Sequence, residues 1–228
     1  GFDGIPTPFS PIGIRIAGRP AINRHRLFLE GVVEVQDESS QLVCQLLAPR
    51  RGEMIADFCA GAGGKALALG AAMRSTGRVY AFDVSAKRLA ELRPRLARSG
   101  LSNIHPQRIA SEQDPKLKRL AGKFDRVLVD APCSGLGTLR RNPDLKWRQT
   151  ARDVEELSGK QGAILAAAAK LVRPGGRLIY ATCSILPEEN DTVVGDFLAA
   201  FPQFSVRPAQ TELAASRIAL PSPGGPGD

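Results

Sequence analysis

Little in this 228-residue chain suits a disulfide scaffold or a metal centre. Its four cysteines (Cys44, Cys59, Cys133 and Cys183) are too few and too scattered for a bridged framework, and none forms a CxxC pair. With two histidines in the whole sequence, no metal is expected. No apolar run approaches the roughly 20 residues that span a bilayer, and no secretory pattern opens the chain. Reduced thiols in a cytoplasmic protein, with no membrane partner, are the expectation. The 43% hydrophobic content still supports a packed core, so the scarcity of aromatics, at 5%, does not argue for disorder.

The charge is unbalanced. Thirty-one basic residues against 23 acidic ones give +8, which favours a polyanion, since each neutralised phosphate releases condensed counterions. Solubility charge alone would read the same, so charge informs only together with motifs. A monomer is the plain expectation. The chain has no initiator Met, and its tail from Pro221 to Asp228 is rich in Pro and Gly without a further periodic element, so a fragment is expected.

Two regions are expected. Residues 1–48 read as a Gly/Pro-rich connector, a short β-hairpin from Leu27–Leu29 and Val32–Val35 split by Gly31, and a helix capped by Asp37 or Ser39. Residues 49–228 read as a second, larger domain. There strands and helices alternate: strands at Met54–Phe58, Arg78–Asp83, Ile104–Ile109, Phe124–Asp130 and Arg177–Thr182. Helices follow the glycines after Phe58, run from Ala86 to Ser99 and from Ala151 to Leu171, and end with Glu188–Ala200. Pro94 should bend its helix or leave a bond unmade, and Pro106 marks an edge strand. This order predicts an α/β fold, a mostly parallel sheet with helices on both faces, whose ligands sit at the carboxyl ends of the strands.

The residues able to do chemistry fall at those ends. Asp57 to Lys65 (DFCAGAGGK) is a Gly-rich strand-to-helix turn, and Asp83 ends the next strand where an acid can grip a ribose diol. The turn fits either a dinucleotide or S-adenosylmethionine, and a structural turn with Asp83 as a cap is the plainer alternative. Asp130-Ala131-Pro132-Cys133-Ser134-Gly135 follows the strongest strand, and Ala181-Thr182-Cys183-Ser184 follows its successor. A cysteine's ordinary fate is a small buried hydrophobe. Two of them, each before Ser and one beside an Asp, point instead to one cleft. A thiolate adding to carbon 6 of cytosine would make carbon 5 nucleophilic enough to take a methyl group, with Asp130 the nearest acid for ring N3. Cys44 is expected in the core, and Cys59 against the cofactor.

These segments, with Asp130 to Arg148 (DAPCSGLGTLRRNPDLKWR), Arg173 to Asn190 (RPGGRLIYATCSILPEEN) and Val35 to Leu42 (VQDESSQL), resemble the NOL1/NOP2/Sun RNA cytosine-5 methyltransferases. Within that family they are most similar to the bacterial 16S ribosomal RNA branch of the small-subunit methyltransferase B type, from about Gly31 onward. The resemblance implies a Rossmann-like methyltransferase fold, S-adenosylmethionine as cofactor and RNA, here ribosomal, as partner. It makes Cys183 the nucleophile and Cys133 the residue that helps release product, with Asp130 and Lys65 also catalytic. Cysteine 59 through Lys65 (Cys59, Ala60, Gly61, Ala62, Gly63, Gly64, Lys65), Asp83 and Asp130 would hold the cofactor. Arg140, Arg141, Asn142, Pro143, Lys146 and Trp147 would meet RNA.

Two departures from the family pattern are visible. No Asp stands in Gln107–Ala110, where the family contacts adenine, leaving Glu112 or Asp114 as substitutes. By the resemblance, residues 49–228 are expected to be the catalytic domain and residues 1–48 the remnant of an upstream RNA-binding region; no DGFF-like final strand is read in the sequence given, so an incomplete sheet edge and weakened RNA affinity are expected. Three alternatives remain. A DNA cytosine methyltransferase would use Cys133 as nucleophile, but its Glu-Asn-Val partner is absent. A non-catalytic RNA-binding or assembly module would not need both cysteines and Asp130, and a nicotinamide oxidoreductase leaves the cysteines unexplained.

Overall fold

A computed structural model describes residues 2–18 and 20–220. The expectation for the tail from Pro221 onward lies outside the described residues. Five strands form one parallel sheet in the order β5-β4-β3-β6-β7. They are β3 (Met54–Asp57), β4 (Arg78–Asp83), β5 (Ile104–Arg108), β6 (Phe124–Asp130) and β7 (Val172–Ala181). Two further strands, β1 (Gly4–Pro6) and β2 (Ile14–Ile16), pair antiparallel near the start of the chain. The helices are α1 (Arg26–Leu29), α2 (Glu38–Leu47), α3 (Gly64–Ala72), α4 (Ala86–Ser99), α5 (Pro115–Lys118), α6 (Leu145–Arg148), α7 (Ala151–Ala169), α8 (Asp191–Ala200) and α9 (Ala209–Ala215).

Strand alternation explains the two layers of core. On β3, Ile55 turns to one face and Ala56 to the other; on β6, Leu128 opposes Val127 and Val129. One face packs Cys44 and Leu47 of α2, Leu67 and Leu69 of α3, and Leu92 of α4. The other packs Phe82 and Phe124 against Ile164 and Leu165 of α7 and Phe197 of α8. Burying each such side chain contributes about 1.5–3 kcal/mol. The strand order reverses between β3 and β6, and the crevice this opens lies outside their carboxyl ends.

Several boundaries differ from expectation. The hairpin at Leu27–Val35 does not form. His25 caps Leu27 N–H to start one helical turn, and Gly31, at φ 74°, ends it with the Val32 amide bonded to Leu27 O. The glycine that reads as a hairpin turn is a helix stop. The true hairpin is β1–β2, inside the stretch expected to be a connector. Helix α7 stops at Ala169, and β7 begins at Val172 rather than after Pro174-Gly175-Gly176. These three residues bulge: Phe124 faces Val172 but Arg126 faces Arg177. The last expected helix is a 3-10 turn at Pro187–Glu189 followed by α8, and α9 follows it unforeseen. Asp37 rather than Ser39 caps α2, and α4 runs on through an exposed Pro94.

Candidate active site

The first half of the crevice is built from backbone. After β3 the chain turns so that Ala60 N–H donates to Phe82 O at 2.9 Å and Gly63 N–H to Ala60 O at 2.8 Å. Gly61 (φ 56°) and Gly63 (φ 80°) take left-handed conformations that glycine adopts without strain. A side chain at Gly63 would lie 2.1 Å from Leu92 Cδ1, whereas nothing stands within 4 Å of the same position at Gly61. The loop is therefore packed beneath and open above. Buried Asp83 braces it, accepting from Gly61 N–H at 2.8 Å and Ser85 N–H at 2.7 Å. Its carboxylate retains further lone pairs for a ribose diol. Arg95 ties Ala62 O at 2.7 Å and reaches Glu34 at 3.3 Å, linking loop, α4 and the preceding segment.

Asp57 sits beneath this loop, 1% exposed. Neither carboxyl oxygen has a well-formed hydrogen bond, although the Ala66 amide turns toward them. Burial, with Asp130 next, pushes its pKa up to about 7. An orphaned buried acid, a braced ribose-side acid and an open glycine turn at a helix start fit S-adenosylmethionine, whose ammonium and diol both need acceptors.

The second half is built from side chains. Cys133 and Cys183 leave the adjacent ends of β6 and β7 and bring their sulfurs to 3.2 Å as free thiols. The Cys183 amide also donates to Cys133 Sγ at 3.3 Å. The hydrogen bond from Cys133 lowers the Cys183 pKa to about 7, against burial and the Asp130 charge and with help from Lys65. The same bond pushes the Cys133 thiol up. With the shared proton on Cys133, the contact favours ionisation of Cys183, the more exposed of the two thiols.

Lys65 Nζ meets Asp130 Oδ2 at 2.5 Å. Burial would lower the lysine pKa, but the charge and hydrogen bond of Asp130 more than reverse it. Cys44 is buried with its pKa raised to about 12 by desolvation, and the half-buried Cys59 is raised by the same cause. Arg140, Arg141, Asn142, Pro143, Lys146 and Trp147 all lie exposed on the loop from the 3-10 turn Leu136–Thr138 to α6, with Trp147 82% exposed and Lys146 4.9 Å from its ring. Arg141 pairs with Asp37. Asp114 caps α5 and accepts from Ala110 and Lys116 amides, so both its oxygens are engaged in shaping the loop after β5.

Sequence reasoning missed a buried network behind the thiols. Glu189, 0% exposed, accepts from Ser134 N–H (2.8 Å), Ser134 Oγ (2.5 Å) and Gln161 Nε2 (2.9 Å). Asn190 and Tyr180 complete it. The only sequence signal was two acids and an Asn shortly after Cys183, which read as an ordinary helix start.

The model of the 16S rRNA methyltransferase RsmB/F family matches residues 44–219. The chain belongs to that family. Among RsmB/F-related proteins, the ribosomal RNA small subunit methyltransferase B of Klebsiella pneumoniae is 37% identical over 98% of this chain and 51% of its own length. A probable small subunit methyltransferase B of Synechocystis is 43% identical over 82% of this chain and 42% of its own. The chain thus spans about half the length of these curated relatives. The crystal structure of PH0851 superposes with a TM-score of 0.86 at 34% identity, covering 99% of this chain and 48% of that one. NSun6 from Pyrococcus horikoshii, determined with SFG, an S-adenosylmethionine analogue, gives 0.73 at 28% identity, covering 82% and 48%. These neighbours and the RsmB/F match agree on a Rossmann-like methyltransferase fold.

Proposed function

We propose that this chain methylates carbon 5 of cytosine in 16S ribosomal RNA, through a covalent bond between Cys183 and carbon 6 that Cys133 helps to resolve. The observation that carries this reading is the pair of free thiols 3.2 Å apart at adjacent strand ends, with Cys183 the exposed one. The family description supports ribosomal RNA as substrate. When bound, S-adenosylmethionine supplies the electrophilic methyl group.

In the proposed sequence, the Cys183 thiolate adds to carbon 6 while the Lys65–Asp130 pair provides the proton that neutralises ring N3. Carbon 5 takes the methyl group, releasing S-adenosylhomocysteine; loss of the carbon 5 proton to a base then expels the Cys183 thiolate from carbon 6, and N3 returns its proton to the Lys65–Asp130 pair, giving neutral 5-methylcytosine. The hydrogen bond from Cys133 stabilises the departing thiolate by the same interaction that lowers the Cys183 pKa. The exposed loop bearing Arg140, Arg141, Lys146 and Trp147 offers cations and an aromatic face to the RNA. A DNA-type reading, with Cys133 attacking, is disfavoured because Cys183 is the more exposed sulfur and Cys133 the more buried.

The deciding experiment mixes the Cys133→Ala variant with small-subunit ribosomal RNA and S-adenosylmethionine, followed by a denaturing gel. A covalent protein–RNA adduct is expected, and none from Cys133→Ala/Cys183→Ala. An adduct that survives without Cys183 would overturn the nucleophile. If no adduct forms, the same pair is run on a chain of the full length of the relatives; absence there too would reject the covalent reading.

A further inference from the structure

Glu189 is an acid with 0% exposure and no lysine or arginine partner among the described residues. Burial alone would push its pKa up; the converging donors of Ser134, Ser184 and Gln161 hold it below the usual carboxylate value instead. Such a group is expensive to bury unless every lone pair is used. The network's reach shows what it does. Gln161, also 0% exposed, divides its amide hydrogens between Glu189 and Pro132 O at 2.9 Å each. Glu189 therefore fixes the residues on both sides of Cys133, Pro132 through Gln161 and Ser134 directly.

The other thiol is held from the same turn. Asn190, next to Glu189, donates to Ser184 O at 3.1 Å and accepts from Thr182 Oγ1 at 2.7 Å, flanking Cys183 on both sides. Ser134 Oγ lies 3.2 Å from Ser184 Oγ, closing the link between the two loops. The Tyr180 hydroxyl anchors the turn itself, donating to Glu189 O at 2.7 Å. The two loops also meet through main chain, where the Gly137 amide donates to Cys183 O at 2.9 Å and the Cys183 amide to Cys133 Sγ at 3.3 Å; the Glu189 network is the tie made by a buried charge.

We infer that Glu189 is a positioning residue for the thiol pair: its ionised carboxylate clamps the Cys133 loop against the Cys183 loop so that the Cys133 S–H points at Cys183 Sγ. The inference rests on the proposed role of that pair in cytosine methylation. A carboxylate is needed because three donors converge on it, and an amide would turn its own N–H groups against them. Loss of the clamp lengthens the sulfur–sulfur contact and removes the bond that makes Cys183 acidic. Among the described residues, the charges acting on Cys183 are then Asp130, which opposes its ionisation, and Lys65, which favours it.

The test uses the full chain with Glu189→Gln. Iodoacetamide alkylation of Cys183, followed by peptide mass from about pH 5 to about pH 10, reads the thiol without RNA or cofactor. The midpoint is expected to rise by about one unit, with kcat for methyl transfer down about a hundredfold and KM for RNA within about threefold of wild type. Glu189→Asp, which keeps the charge, should recover part of both. A folded Glu189→Gln with an unmoved alkylation midpoint would overturn the inference, as would a kcat loss that only tracks a fall in melting temperature. If that variant does not fold, Gln161→Met keeps the carboxylate but removes the Pro132 tie together with the Gln161 bonds to Glu189 and Tyr180, and should move the midpoint the same way by about half as much; no movement there counts against the clamp equally. Were the wild-type chain to make no 5-methylcytosine, the functional reading would fail while the alkylation profile still decided the clamp.

Discussion

The two halves of the crevice solve the same problem by different means. At the ends of β3 and β4 the cofactor-side surface is shaped by main chain, with Gly61 and Gly63 in left-handed conformations and Asp83 accepting from two amides. At the ends of β6 and β7 the reactive surface is shaped by side chains, where Glu189, Gln161, Asn190 and Tyr180 hold two thiols in contact. Backbone construction tolerates no added atom on its packed side, at Gly63, though it leaves room above Gly61. Side-chain construction tolerates changes of shape poorly where they alter charge or hydrogen-bond sense. Each half should therefore fail under a different kind of substitution.

The largest effect is expected where charge meets the thiols. Lys65→Met should lower kcat about a thousandfold, measured by methyl incorporation into ribosomal RNA. The pH dependence sharpens this point. Because the Cys183 pKa is lowered to about 7, wild-type rate should rise about tenfold per pH unit below that value and level off above it. Without the Lys65 charge the midpoint should move upward. An unmoved profile would separate Lys65 from the thiolate.

Next comes the backbone half. Gly63→Ala should lose about 3 kcal/mol in urea unfolding, from the left-handed φ and from overpacking against buried Leu92. Gly61→Ala, at a position open above, should lose less stability but weaken cofactor binding measured calorimetrically. Equal losses at the two glycines would break the distinction between packed and open sides of the loop.

Asp57 lies between the halves and gives a smaller effect of opposite sign. Its folded pKa, raised to about 7, means that the fold favours the protonated acid. The penalty is absent below the unfolded value near 4, grows as pH rises between the two, and is complete above about 7. Asp57→Asn should stabilise the cofactor-free protein by on the order of 2 kcal/mol at pH 8 and hardly at all at pH 4, read as melting temperature. The same variant should bind S-adenosylmethionine more weakly. Smallest is Arg141→Ala, whose exposed pair with Asp37 should contribute under about 0.5 kcal/mol to stability. Its RNA binding should nevertheless lose about one unit of salt slope.

This contrast also accounts for what the sequence revealed. Glycines at fixed offsets and an acid at a strand end are local signals, so the Asp57–Lys65 turn and Asp83 stand out in one dimension. The five-stranded parallel sheet was likewise legible from apolar strands separated by helical periods, because each element carries its own pattern. The clamp was not: Ser134, Gln161, Tyr180 and Glu189 come from three elements and a loop, and each alone reads as an unremarkable polar residue. The misplaced hairpin has a similar cause. Gly31 permits a positive φ in a hairpin or in a helix stop, and what distinguishes them here includes a contact distant in sequence, Phe28 beneath the Arg98 guanidinium at 4.1 Å from its ring.

The contact between the two sulfurs has a consequence outside the methyl-transfer cycle. Thiols 3.2 Å apart, one of them ionised near neutral pH, stand a two-electron oxidation away from a disulfide whose bond is about 2.05 Å long. A peroxide that takes those electrons would silence the pair while leaving sheet, helices and cofactor loop as they were. Activity measured without a reductant would then record the storage history of a preparation as much as its chemistry.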